Sequence, residues 1–183
     1  MPIELGEQIG AGGSGYVHEG PDNTVYKITN GSDMGNIDLL RELGMLSRVA
    51  NAGDIPSPNV IDAGRLDGRC YIQMERIDGI NLNEMLNEWA PTFEEISNIR
   101  DQIADIFARL EEAGLFHGDA IGMENYMISE TESGLKVHII DFVEGGTDMT
   151  GQTARKEAAA IDTVLERIQI SLPKPKTDDA LAL

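Results

Sequence analysis

Cations are scarce in this chain. Lys and Arg number 14 of 183 residues against 32 Asp and Glu, which leaves a formal net charge of −18. That balance argues against a nucleic-acid binder, because phosphate backbones are held by clustered Lys and Arg that this sequence lacks. Cysteine is nearly absent too. The single Cys70 excludes an intramolecular disulfide, suits a reducing compartment and reads as a small core hydrophobe on a strand. Long apolar runs are missing: stretches such as Val137 to Ile140 stop well short of the roughly 20 residues that a membrane span needs. Met1 to Gly10 has neither a basic n-region nor an apolar h-region, so no cleavable secretory signal and a cytoplasmic location are expected. What is present is 41% hydrophobic residues, enough for one sizeable core in a single domain or in two small lobes that fold together.

The first third alternates short β-rich segments with glycine and Asx turns. Strands are predicted near 3–10, 15–19, 23–29, 59–66 and 69–75. Asp67-Gly68 between the last two is a strong hairpin signal. Ile37, Leu40, Leu43, Leu46 and Val49 recur at helical spacing, and Gly53 follows, so one helix interrupts the sheet. From Asp78 onward the pattern turns helical. Thr92-Phe93-Glu94-Glu95 forms a capping box after Pro91, opening a helix whose apolar stripe runs from Ile96 to Leu110 before Gly114 stops it. Two short strands are predicted around 125–129 and 136–141, with a polar turn between them. A last helix over about 153–170 ends before Pro173, and 173–183 reads as a weakly structured tail.

Gly10, Gly12 and Gly15 match G-x-G-x-x-G, a weak signal alone because glycine turns arise for purely conformational reasons. A dinucleotide fingerprint would require a helix directly after the third glycine, whereas Tyr16-Val17-His18-Glu19 reads as a strand. Lys27 follows on the third strand and Glu42 on the next helix. The strongest signal is Phe116-His117-Gly118-Asp119, then Asn125, then His138-Ile139-Ile140-Asp141-Phe142. Phosphoryl transfer needs a carboxylate to orient the attacking hydroxyl and oxygen ligands for Mg²⁺ at the ends of short strands. Asp119 suits the first task; Asn125 and Asp141 suit the second. Singly, each of these residues has an ordinary reading as a capped turn, a solvated acid or a packed histidine, but their order along one chain is hard to reach by chance.

In that order, nearly the whole chain from Leu5 to about Arg167 resembles the protein kinase superfamily. Its shortness makes it most similar to the minimal kinases delivered by bacterial type III secretion systems. The resemblance implies an α+β, bilobal fold: a small lobe at 1–77 with a five-stranded antiparallel sheet and one helix, then a truncated, mainly helical large lobe at 78–172. It also implies ATP and Mg²⁺ as cofactors. Gly10, Gly12, Gly13, Ser14 and Gly15 would cover the phosphates, and Val25 would line the nucleotide pocket. Lys27 would position the phosphates, braced by Glu42. Met74 would stand at the back of the adenine pocket, Glu75 and Ile77 would supply hinge backbone contacts, and Asn81 would be the ribose candidate. Asp119 would be the proton acceptor, with Asn125 and Asp141 on the metal and Asp162 as the buried acid bracing the catalytic loop.

The departures are specific. Asn125 lies six residues after Asp119 instead of five, which leaves Glu124 as a competing metal ligand. Gly118 replaces the motif arginine, as in aminoglycoside and choline kinases, and Val143 replaces the glycine of D-F-G. No A-P-E follows, and only about ten residues separate Asp141 from the last helix. The expected activity is therefore that of a Ser/Thr protein kinase without an activation segment, with a small-molecule phosphotransferase or a pseudokinase binding module as alternatives. The effector resemblance further implies secretion into a host cytosol and two candidate partners, an Hsp90-type chaperone or a ubiquitin-conjugating complex.

Overall fold

The computed structural model describes residues 3–13 and 15–173. The expected phosphate contact at Ser14 and the tail over 174–183 lie outside them. The N-terminal part is an antiparallel sheet of β1 (Gln8–Ala11), β2 (Gly15–Glu19), β3 (Thr24–Thr29), β4 (Val60–Leu66) and β5 (Arg69–Glu75), in the order β1-β2-β3-β5-β4. β1 is shorter than the predicted strand over 3–10. Gly6 and Glu7 still reach Glu19 through backbone hydrogen bonds, but the register shifts between Gln8 and Gly10. Asp67 and Gly68 both take left-handed conformations, φ 50° and 81°, as a primed hairpin turn between β4 and β5 requires. β3 is central, and Val25, Tyr26 and Ile28 are buried without alternation.

Helix α1 (Asp33–Ala52) starts where Ser32 Oγ accepts from Gly35 N–H and ends at Gly53, whose φ of 74° suits glycine. α2 (Leu82–Glu88) follows β6 (Ile80–Asn81) and was not anticipated, because seven residues are too few to display a helical period. α3 (Phe93–Glu112) opens on the predicted Thr92/Glu95 capping box. β7 (Leu115–Phe116) pairs with β10 (Gly146–Thr147). β8 (Tyr126–Thr131) and β9 (Gly134–Ile139) form a tighter hairpin than the strands expected at 125–129 and 136–141, because Glu132 and Ser133 alone make the turn. α4 (Gln152–Ser171) lies against α3, clasped by an Arg100–Asp162 ion pair at 2.8 Å.

Two apolar clusters result. A small one joins Val25, Leu39, Cys70, Ile72 and Met74 under the sheet. A large one unites α3, α4 and the β8–β9 hairpin with Met45, Leu46 and Val49 of α1, so α1 spans both cores. Among the described residues, no helix is long and apolar enough to cross a membrane.

Candidate active site

Lys27 stands on the central strand β3, its stem fixed by pairing on both sides with β2 and β5. Its Nζ lies 2.7 Å from Glu42 Oε2 of α1 and 2.9 Å from Asp141 Oδ1. The contact with Glu42 is a short ion pair lying off the directed hydrogen-bonding angle, whereas the one with Asp141 is a directed hydrogen bond. Burial opposes the charge on Lys27, but Glu42 and Asp141 more than offset it and hold the ammonium above the usual lysine range. Burial pushes the Glu42 carboxyl up, Lys27 pulls it back, and Asp141 adds to the push. Three stretches far apart in sequence thus meet on one cation.

Asp141 takes a left-handed φ of 61°, which aspartate tolerates better than most residues, and this turns the chain sharply after β9. Phe142 beside it is fully buried against the His117 ring, at 4.8 Å between centroids. His117 is itself buried. Its Nε2 lies 2.8 Å from Ile140 O, and Nδ1 accepts from Asp119 N–H at 3.2 Å; the tautomer that satisfies both bonds carries its hydrogen on Nε2. A packed, hydrogen-bonded histidine is the role its sequence suggests. Gly118, with φ 94°, is crossed so closely by the following segment that an added Cβ would lie 2.2 Å from Glu144 O. No side chain fits at the position where the H-R-D motif carries arginine.

Asp119 is exposed at the end of this loop. Asn125 is buried, and its Nδ2 donates to Asp119 O at 3.0 Å and to Asp119 Oδ2 at 3.1 Å. The extra residue between Asp119 and Asn125 is absorbed in a short 3₁₀ turn, Met123–Asn125. Glu124 also lines the cleft, but Asn125 makes the contact with Asp119.

Lys27, Glu42, Asn125 and Asp141 share one cleft of about 540 Å³. Lining it as well are Gly10, Gly12, Gly13 and Gly15 of the glycine hairpin, Val25 of β3, Met74 and Glu75 at the end of β5, Ile77 of the connecting segment, and Asn81 from below. At Gly15 an added Cβ would lie 2.0 Å from Ile28 O, so β2 can approach β3 here only as glycine. Glu75 turns its carboxylate away to accept from Asn59 Nδ2 at 2.9 Å, leaving its backbone on the cleft. Asn81 lines the cleft, but its side-chain oxygen caps α2 by accepting from Glu84 N–H at 2.9 Å. Asp119 does not line the cleft itself and stands at its edge through Asn125.

One expected residue is displaced. Asp162 does not brace the catalytic loop: its side chain is 54% exposed and it pairs with Arg100. Glu157, one and a half turns earlier on α4, does so instead. Its Oε2 accepts from His117 N–H at 2.9 Å and its Oε1 from Gly118 N–H at 2.5 Å. Helical spacing does not separate the two acids: Glu157 stands at i+3 from Ala154 and Asp162 at i−3 from Leu165, on opposite borders of the buried stripe, and only the packing of α4 against the loop decides which of them reaches it.

The cleft's donors and acceptors fit a nucleoside triphosphate with magnesium. Among the described residues, Ile77 N–H has no protein acceptor, and Ile77 lines the cleft, which leaves a backbone donor for an adenine there. Asn125 has committed its amide nitrogen to Asp119, so its oxygen is the atom left for a cation beside Asp141. Among the described residues, no group of three or more His, Cys, Asp or Glu gathers to hold a metal by itself, so a cation here would share its coordination with phosphate oxygens.

No protein-family model matches the chain. Among curated proteins, it is 28% identical over 149 residues to the serine/threonine-protein kinase PknE of Mycobacterium tuberculosis, a match covering 77% of this chain and 25% of that protein. It is 24% identical over 148 residues to the serine/threonine-protein kinase PknD of the same organism, covering 77% of this chain and 22% of PknD. Against the serine/threonine-protein kinase PknH of Mycobacterium bovis it is 25% identical over 149 residues, covering 77% and 24%. The chain spans about a quarter of the length of the curated relatives it matches. What it is similar to is therefore the serine/threonine protein kinases.

Proposed function

We propose that this chain is an ATP- and Mg²⁺-dependent serine/threonine protein kinase of reduced size, with a small lobe at 1–77 set over a truncated large lobe at 78–172. The observation that carries the reading is Lys27 held at 2.7 Å from Glu42 and 2.9 Å from Asp141, inside a cleft roofed by a glycine hairpin. Magnesium-bound ATP supplies the transferable phosphoryl group and a cation that offsets its charge. Asn125 and Asp141 contribute the protein oxygens for that cation, and Lys27, steadied by Glu42, holds the phosphates. The backbone at Glu75 and Ile77 receives the adenine. Asp119 orients the acceptor hydroxyl and takes its proton as the new oxygen–phosphorus bond forms and ADP leaves.

His117 and Glu157 act from behind: they fix the backbone on which Asp119 stands, so the carboxylate is preorganised. The backbone of Glu144 packs over Gly118, and no longer segment follows to be ordered by phosphorylation. Activity is then constitutive or set by a partner. The effector role, and an Hsp90-type chaperone or a ubiquitin-conjugating complex as partner, rest on the size resemblance alone, and the catalytic proposal does not depend on them.

The test is transfer of labelled phosphate from ATP to proteins of a cell lysate, beside a panel of aminoglycosides and amino-alcohols. Protein labelling that needs Mg²⁺ and falls by about a thousandfold in Asp119→Ala, whose fold is intact by circular dichroism, is the expected outcome. Labelling of the small molecules alone would replace this reading with that of a small-molecule phosphotransferase. ATP binding without any transfer would leave a pseudokinase.

A further inference from the structure

We propose that Arg76, in the segment joining β5 to β6, is a positioning residue that sets the height of the glycine hairpin over the cleft. The inference rests on the cleft being a nucleotide site. The hairpin of β1 and β2 is the outer edge of the sheet, held along its length by β3. At its tip, Cβ atoms added to Gly12 or Gly13 would meet nothing within 4 Å, and among the described residues one side chain reaches it, Asn30 Nδ2 donating to Gly13 O at 3.3 Å. A hairpin so lightly held at the tip is aimed mainly from the root.

The root is tied to one arginine. Glu19, the last residue of β2, exchanges backbone hydrogen bonds with the lead into β1: Gly6 N–H donates to Glu19 O at 2.8 Å, and Glu19 N–H donates to Glu7 O at 2.9 Å. Its carboxylate accepts from Arg76 Nη1 at 2.5 Å. Arg76 Nε lies 3.2 Å from Asp78 Oδ1, and Asn23 Nδ2 donates to Asp78 Oδ2 at 3.3 Å. The Arg76 backbone N–H donates to Asn23 O at 3.1 Å, gripping the β2–β3 turn where Asp22 and Asn23 both adopt positive φ. The root of the hairpin is therefore referred to the Arg76 side chain through Glu19, and the turn behind it to the Arg76 backbone and Asp78.

Arg76 lines the cleft but is bound to two carboxylates, so it is not a phosphate ligand in waiting. Its planar fork meets the two acids on separate nitrogens, Nη1 for Glu19 and Nε for Asp78, where a lysine ammonium would have to reach both from one atom. The group is partly exposed, so its worth lies in geometry more than in global stability.

The experiment compares Arg76→Ala, Arg76→Lys, Glu19→Gln and the swap of Glu19→Arg with Arg76→Glu. Hydrogen–deuterium exchange over 6–19 is read in the nucleotide-free protein, with steady-state KM for ATP and kcat beside it. Arg76→Ala and Glu19→Gln are expected to speed exchange over 6–19 and to raise KM for ATP roughly fivefold, with kcat within about twofold. Arg76→Lys recovers part of the effect; the swap restores the pair with position 19 but sets two carboxylates against each other at 76 and 78, so it recovers no more than Arg76→Lys. Unchanged exchange over 6–19 in Arg76→Ala overturns the inference, as does a loss confined to kcat. If Mg²⁺-ATP does not bind the unaltered protein by calorimetry, the nucleotide reading fails, while the exchange measurement still decides whether Arg76 holds the hairpin.

Discussion

The two halves of the molecule are built to different standards of packing. Under the sheet, five buried apolar residues form a cluster of their own; the other cluster has 22, of which all but Met45, Leu46, Val49 and Ile55 come from the half below the cleft. The oxygens of Asp119, Asn125 and Asp141 stand on the well-packed half, while Lys27 and the glycine hairpin stand on the thin one. Lys27 to Asp141 at 2.9 Å is the direct polar link across the cleft. A reaction that must admit and release a nucleotide needs one wall that yields and one that does not. On the proposed kinase reading, fixed geometry belongs where the hydroxyl would be aligned, and compliance where the phosphates would be covered.

Cutting that link should give the largest effect. Lys27→Met leaves Glu42, with 3% of its side chain exposed, without a counter-ion, so burial drives its carboxyl higher still. Below its ordinary value of 4.5 the carboxyl is protonated in folded and unfolded chains alike, and the variant suffers little. As pH rises through the window up to the raised folded value, the unfolded chain ionises and the folded one cannot, so stability falls. We expect a deficit of about 3–5 kcal/mol at pH 8 and a clearly smaller one at pH 5, by denaturant unfolding. Phosphate transfer should drop more than about a hundredfold at either pH. Adding Glu42→Gln should restore most of the stability and none of the activity. A deficit that ignores pH would mean that Glu42 is not an ionised partner.

Two truncations of similar chemistry sharpen the contrast further. Ile72→Ala in the small cluster and Leu110→Ala in the large one each remove a fully buried aliphatic side chain, at about 2–5 kcal/mol. Their reach should differ. Native-state hydrogen exchange should show Ile72→Ala loosening β1, β2, β3 and β5 while α3 keeps its protection, whereas Leu110→Ala lowers protection across the whole chain. Equal loosening of α3 by both would show one cooperative core.

Much of this was legible in the sequence, and the illegible part has a physical pattern. α3 announces itself through the Thr92/Glu95 box and the Ile96–Leu110 stripe, and Asp67-Gly68 fixes the β4–β5 register, because both signals are local. That Lys27 pairs with Glu42 and shares a cleft with Asp141 was expected from the resemblance to kinases; the direct contact of Lys27 with Asp141 was not. α2 hid because it is only two turns long, although its box at Asn81 and Glu84 was there to find. The grip of Arg76 on Glu19 and Asp78 was invisible because neither its spacing nor its chemistry differs from those of any exposed ion pair until the β2–β3 turn is folded against it.

Glu157 and Asp162 give the finest test, since both are acids on α4 and only one touches the catalytic loop. Glu157 receives His117 N–H and Gly118 N–H on separate oxygens, so an amide in its place can accept from one and must present its own N–H groups to the other. Glu157→Gln should therefore tilt the backbone that carries Asp119, lowering kcat roughly tenfold while KM for ATP, set on the opposite wall, stays within about twofold. Asp162→Asn leaves a surface contact with Arg100 weakened, and its kcat should stay within about twofold. Because Ile161 and Leu165 still anchor α4, neither variant should unfold, so a kinetic difference between them reads position alone. Equal rates in both would mean that His117, packed on Phe142 and bonded to Ile140 O, already holds the loop without an acid behind it.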